Sequence, residues 1–250
     1  IGDELREVHF AADSVHVLYH IGRIESALTT GEEAVRAAQA LGDPRTLLLA
    51  RANYSQAHYF AGDFERARQS GLPLEEELRT TFRHARIGTT CTSSCLWLGN
   101  LCGVHATVGE FDKAIEVGQE ACLIAAETGL PIDQVMSGNW LAWCHALRGD
   151  GEVVLEIAER NLAIVARNDL TFPEHWTTVL YALGLADTGD ADRARNQVEG
   201  FYARGVAHGN LIMSSIWLAS AEAFVLYECG ERESAAKLCM RVLERIDRYG

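Results

Sequence analysis

The chain has 250 residues, 48% of them hydrophobic and 23% charged, with only four prolines; that balance excludes a disordered chain and leaves long stretches free to be helical. A formal net charge of −13 with no run of Lys or Arg excludes a phosphate-binding surface, since nucleic-acid affinity comes from clustered cations. The most apolar stretch, Leu211 to Cys229, carries Glu222 and Glu228, which are costly at bilayer depth, so no membrane contact is expected.

The chain opens on Ile1 without the basic segment, apolar core and small-residue site of a secretion signal. It closes just after a helical pattern at Arg248, Tyr249 and Gly250, and a fragment of a longer chain is expected. Seven cysteines, an odd number spread through apolar helical patterns, read as reduced thiols in a cytoplasmic compartment.

In chain order, one short pattern recurs: GRIESA at 22–27, GDFERA at 62–67, GEFDKA at 109–114, GDGEVV at 149–154, GDADRA at 189–194 and GERESA at 230–235. The glycines are separated by 40, 47, 40, 40 and 41 residues. Glycine ends a helix in the left-handed conformation, the acid favours the start of the next helix, and the small residue five places on lets the two helices approach closely. Between these turns lie Gly42 to Pro44, Gly129 to Pro131, Phe172-Pro173 and Gly209-Asn210, which read as helix stops followed by helix starts. The predicted elements are six helix pairs: 3–21 with 23–41, 45–61 with 63–80, 89–108 with 110–128, 132–148 with 150–168, 174–188 with 190–208, and 211–229 with 231–249. The second pair is seven residues longer than its neighbours and contains Gly71-Leu72-Pro73, which predicts a broken second helix.

Gly62-Asp63-Phe64 with Ala67, and Gly109-Glu110-Phe111 with Ala114, resemble the tetratricopeptide-repeat motif. The period of about 40 residues, the missing early Trp and the loss of the aromatic at Gly151, Ala191 and Arg232 depart from its commonest form. The resemblance covers nearly the whole chain and implies an all-α fold: a right-handed α-solenoid of about six antiparallel pairs, forming a single domain over residues 1–250. Long-period copies of this kind are similar to the helical-repeat regions of large bacterial signalling ATPases and nucleotide cyclases. That implies a regulatory or scaffolding segment, with any catalysis carried elsewhere in the parent chain.

No phosphate loop, dinucleotide turn, zinc-protease motif or nucleophile elbow is present, and Gly149-Asp150-Gly151 is explained by its repeat turn. No enzyme activity and no cofactor are expected. Cys91, Cys95, Cys102 and His105 fall at offsets of four, seven and three on one face of the third first helix, with Cys91 and Cys95 the closest approach to a metal pair. The set spans too great a length for one ion, and packing of small polarizable thiols accounts for it. His58, His105 and His145 each stand four residues before a repeat glycine, where the motif carries an aromatic, and read as ring substitutes with a polar tip.

In the resembled family the first helices line the concave face. Counting by that register places Asn53, Gln56, Tyr59, Phe60, Asn100, Asn139, Trp140, Trp143, Trp176, Trp217, Phe224 and Tyr227 there. Amides that bond an extended backbone and rings that supply area suit a peptide; each tryptophan equally suits packing between neighbouring first helices. His9, His16, Tyr19 and His20 crowd the first helix in the same register and either extend the groove or form a surface covered by preceding sequence. The expected function is a protein- or peptide-binding scaffold for neutral or basic partners, with another domain of the parent chain among the candidates. The alternative is a small-molecule sensor acting on an adjacent ATPase, cyclase or DNA-binding module.

Overall fold

The computed structural model describes the backbone of residues 2–208 and 216–249, and the side chains of 4–199, 219, 222–241, 243 and 244. Among these residues there are thirteen helices and no strand. The chain divides into two compact units, Ile1–Thr128 and Gly129–Tyr249. The first holds α1 (Gly2–His20), α2 (Ile24–Leu41), α3 (Pro44–Phe60), α4 (Phe64–Gly71), α5 (Leu74–Arg79), α6 (Ser93–Thr107) and α7 (Phe111–Thr128). The second holds α8 (Pro131–Arg148), α9 (Gly151–Asn168), α10 (Thr171–Asp187), α11 (Ala191–His208), α12 (Ile216–Glu228) and α13 (Arg232–Tyr249). No helix among the described residues is long and apolar enough to cross a membrane.

Each repeat turn closes its own backbone. The six glycines have φ between 77° and 89°, the left-handed region that costs an L side chain about 1–2 kcal/mol. The amide after each glycine donates to the carbonyl five residues back, as in Asp63 to His58 (3.0 Å), Glu110 to His105 (2.9 Å) and Asp190 to Leu185 (2.8 Å). This satisfies carbonyls that a helix end otherwise leaves open. One turn on, Ala27, Ala67, Ala114 and Ala194 are fully buried, Val154 nearly so and Ala235 buried as well. The residue read as the close-approach position is the one that packs. α3 starts as its sequence predicts, with Pro44 in its first turn and the Asp43 carboxylate accepting from the Thr46 amide at 2.8 Å.

The extra length of the second pair forms a built element. α4 stops at Gly71, Pro73 precedes a separate short α5, and residues 80–92 run without regular helix before α6. The Ser94 hydroxyl holds this segment down through the Leu78 carbonyl (2.6 Å) and the Phe82 carbonyl (2.9 Å), and Ser93 Oγ accepts from the Ile87 amide at 3.1 Å. Phe82, Ile87 and Cys91 are buried. Gly88, at φ 67°, lies so close to α1 and α3 that a Cβ there would stand 2.5 Å from Asp13 Oδ1 and 3.0 Å from Leu49 Cδ1. The segment is therefore a strap across two first helices, tethered at a position only glycine fits.

Two expectations need correction. Cys91 does not share the helix face of Cys95, Cys102 and His105, because Thr92 is extended (ψ 131°) and α6 begins only at Ser93. Phe172 and Pro173 do not separate helices: α9 ends where Asp169 takes the left-handed conformation (φ 53°), and Pro173 sits in the first turn of α10, where its missing N–H costs nothing. Gly209-Asn210 and the predicted start of the last pair at 211 lie outside the described residues.

Candidate partner-binding surface

In the first unit, the amides on the first helices are engaged inward. Asn53, almost fully buried, donates from Nδ2 to the Ala12 carbonyl at 2.9 Å and ties α3 to α1. Gln56 Oε1 accepts from the Tyr19 hydroxyl at 2.5 Å, and the same hydroxyl oxygen lies 2.5 Å from His16 Nδ1. Phe60 stacks on Tyr19 with ring centroids 4.7 Å apart and planes 12° from parallel. Beside it His20 approaches Phe60 at 5.7 Å and His16 at 4.6 Å. Buried Tyr59 reaches the Thr107 hydroxyl at 3.4 Å. These rings form one continuous shelf along the C-terminal halves of α1 and α3, on which His20 is exposed and His16 and Phe60 are half-buried. Burial holds His16 below the ordinary imidazole pKa.

Asn100 stands apart. It is only 7% exposed, and neither its Oδ1 nor its Nδ2 has a hydrogen-bond partner among the described residues. An unbonded buried amide costs about 1–3 kcal/mol, so its retention calls for an explanation.

In the second unit, Asn139 and Asn161 are fully buried and link three helices. Asn161 Nδ2 donates to Asn139 Oδ1 (2.9 Å), and Asn139 Nδ2 donates to Thr177 Oγ1 (2.9 Å). Trp140 and Trp176 pack edge to face at 4.8 Å and are both buried, while Trp143 is half-buried. Phe224 and Tyr227 are more than half exposed on α12, with the Arg232 guanidinium 5.9 Å from the Tyr227 ring centre. The Trp217 side chain lies outside the described residues. The structure thus brings Gln56 and Phe60 together with α1, sets Tyr59 against Thr107 of α6, pairs Trp140 with Trp176, and leaves Phe224 and Tyr227 open to solvent.

The three aligned histidines each face the acid that follows their glycine, a pairing the sequence reading missed although the spacing His-x3-Gly-acid carries it. His105 Nδ1 lies 2.6 Å from Glu110 Oε2 and its Nε2 lies 3.3 Å from Glu75 Oε1; His145 Nδ1 lies 2.8 Å from Asp150 Oδ2; His58 Nδ1 is 4.0 Å from Asp63 Oδ2. Burial opposes charge on His105, but the two carboxylates outweigh it and raise its pKa. Burial likewise opposes charge on Glu75, yet His105, Lys113 and Arg79 hold its carboxyl below the usual range. Burial lowers His58, whose acid is too distant to compensate. A further pair, His175 Nε2 to Glu222 Oε1 at 2.7 Å, is buried between α10 and α12 and was not foreseen. Among the described residues no three His, Cys, Asp or Glu side chains gather as a metal cluster, and none of the seven cysteines is in a disulfide.

Residues 48–70 and 175–199 match the model of the tetratricopeptide repeat. No curated protein sequence matches the chain. Among solved structures, a Podosopora anserina protein assigned as a kinesin light chain, with nearly identical TPR-like repeats, superposes with a TM-score of 0.58 at 18% identity, over 80% of this chain and 95% of that one. A single-residue variant of it gives 0.60 at 18% identity, over 82% and 96%. A Rap protein complexed with competence and sporulation factor superposes over all of this chain and 67% of its own length, with a TM-score of 0.78 at 15% identity. The chain is a tetratricopeptide-like helical-repeat region. Its TPR-like character explains the burial of its first helices: within the first unit α1 packs on α3 and α3 on α6, and within the second α10 packs on α8 and α12, so register positions that look open in the sequence are partly used for packing.

Proposed function

We propose that this TPR-like chain is a non-catalytic binding module for a protein or peptide, held along the face of its first helices, in a cytoplasmic signalling or regulatory protein. The observation that carries this reading is Asn100, a buried amide that the repeat register assigns to that face and whose two polar atoms are unbonded among the described residues, since an extended peptide backbone offers the donor and acceptor that such an amide takes. The aromatic shelf of Phe60, Tyr59 and Tyr19 supplies apolar area in the same unit. The Rap protein of similar fold is named as a complex with a factor, which supports the same use of the fold here. The net charge of −13 favours neutral or basic partners, and another domain of the parent chain is one candidate occupant. Trp140 and Trp176, closed on each other at 4.8 Å, favour a groove over a small-molecule pocket lined by those rings.

The test is a peptide array of varied sequence and charge, probed with the native chain and with Asn100→Ala. Because the amide is unbonded in the free chain, Asn100→Ala leaves the fold at least as stable, read by thermal melting, while its peptide binding falls about tenfold or more. Equal binding by both proteins, or no binding by either, overturns the reading.

A further inference from the structure

His9, Asp13, His16 and His20 fall at offsets of four, three and four, on one face of α1. The upper half of this stripe has a geometry that packing does not require. The imidazoles of His16 and His20 stand on successive turns with centroids 4.6 Å apart and planes at 70°. Both touch Tyr19, at 5.2 Å and 4.7 Å.

Proton positions follow from the hydrogen bonds. Gln56 Oε1 can only accept, so Tyr19 donates its single hydroxyl proton to it at 2.5 Å. The Tyr19 oxygen must then accept from His16, which places the His16 proton on Nδ1 across the 2.5 Å contact. The neutral ring's lone pair is therefore on Nε2. Phe60, stacked on Tyr19 at 4.7 Å, fixes the phenol that fixes the imidazole. A histidine whose second nitrogen is oriented by a hydrogen-bonded partner is how protein metal sites hold their ligands, and two histidines at i and i+4 share one helix face in the manner that zinc sites use.

We propose that His16 and His20 form a binding site for a divalent transition-metal ion of the kind imidazole suits, such as Zn²⁺, with Tyr19 and Gln56 as positioning residues. His9 and Asp13, 3.9 Å apart, pair with each other lower on the same face and are not ligands. Since no third protein ligand gathers there among the described residues, water completes the coordination, and the ion sits at the exposed edge of the aromatic shelf.

The experiment is calorimetric titration of the tag-free chain with Zn²⁺, paired with Co²⁺ absorption spectra that report the ligand field. One ion per chain is expected. His20→Ala abolishes the site, with thermal melting checking that its contacts to Tyr19 and Phe60 are not needed for the fold. Tyr19→Phe keeps the ring but loses the hydroxyl, and weakens Zn²⁺ about tenfold while shifting the Co²⁺ spectrum, which a purely structural role would not do. His9→Ala leaves the affinity unchanged. Absence of binding by the native chain, or unchanged affinity in His20→Ala, overturns the proposal; so does loss of binding in His9→Ala with retention in His20→Ala.

Discussion

The two units solve the same packing problem with different chemistry. In the first, the broken α4–α5 element and its strap are stitched to α7 by charge: Arg79 to Glu116 at 3.0 Å, Arg83 to Glu120 at 2.5 Å and to both oxygens of Glu127 at 2.7 and 3.0 Å, and His105 between Glu75 and Glu110. In the second, an unbroken α9 is joined to α8 and α10 by a buried set of neutral amides and a hydroxyl, with the Asp187 carboxylate accepting from the Gly151 amide at 2.8 Å. An unbroken helix buries an apolar stripe against its neighbours and needs only short polar links. The short helix α5 has just six residues, buries less, and is held by long side chains reaching across. Ionic strength should therefore act more on the clamp between α5 and α7 than on the amide links of α8 to α10, and pH should act on that clamp through His105 and Glu75.

Four measurements separate them, with hydrogen exchange locating the effect of each. Gly88→Ala has the largest expected effect, about 3 kcal/mol from a left-handed backbone and a clash with Asp13. It should expose residues 80–92 and α1 while α9 and α10 keep their protection. Asn139→Ala comes next, at about 2 kcal/mol, because it removes the amide that joins Asn161 to Thr177 and leaves them only the Val135 and Pro173 carbonyls; its effect should be confined to the second unit and insensitive to salt. The third concerns pH. His105, raised in the fold, contributes stability that is complete below its unfolded value and lost as pH rises through its folded value. Glu75, lowered, contributes stability that is present above its unfolded value and lost as pH falls through its folded value. Protection of α5 to α7 should thus peak between about pH 5 and 6, and His105→Gln should flatten the alkaline side and weaken the acid side, because Glu75 then loses one of the groups that lower it. The smallest effect is that of Arg83→Ala, a partly exposed clamp whose contribution high salt should erase. Equal salt sensitivity in both units would break the comparison.

The hairpins were legible because their signals are local. A glycine, an acid and a small residue within six positions specify a turn whose every bond is made by residues close in sequence, and all six turns form. The break at Pro73 was legible for the same reason. The strap's path was not, since it depends on Gly88 meeting Asp13, 75 residues away. Glu222 shows the limit well. In the sequence it argued only against a membrane span; in the fold it is a buried partner of His175, 47 residues earlier. Register put Asn53, Gln56 and Asn139 on one face of their helices, and the structure has them buried and bonded to neighbouring helices; no periodicity says which neighbouring carbonyl or hydroxyl an amide will meet. Asn100 occupies the same register and meets none among the described residues.

The self-contained repeat turn also bears on how the chain is made. Each helix pair satisfies its turn with bonds spanning only five residues, so a pair needs nothing still inside the ribosome to close it, and loop-closure entropy stays small. Pairs can dock one after another as they emerge, each on a surface already formed. The strap is the exception, because it reaches back to a helix completed some 70 residues earlier, and its docking is the step that synthesis must wait for.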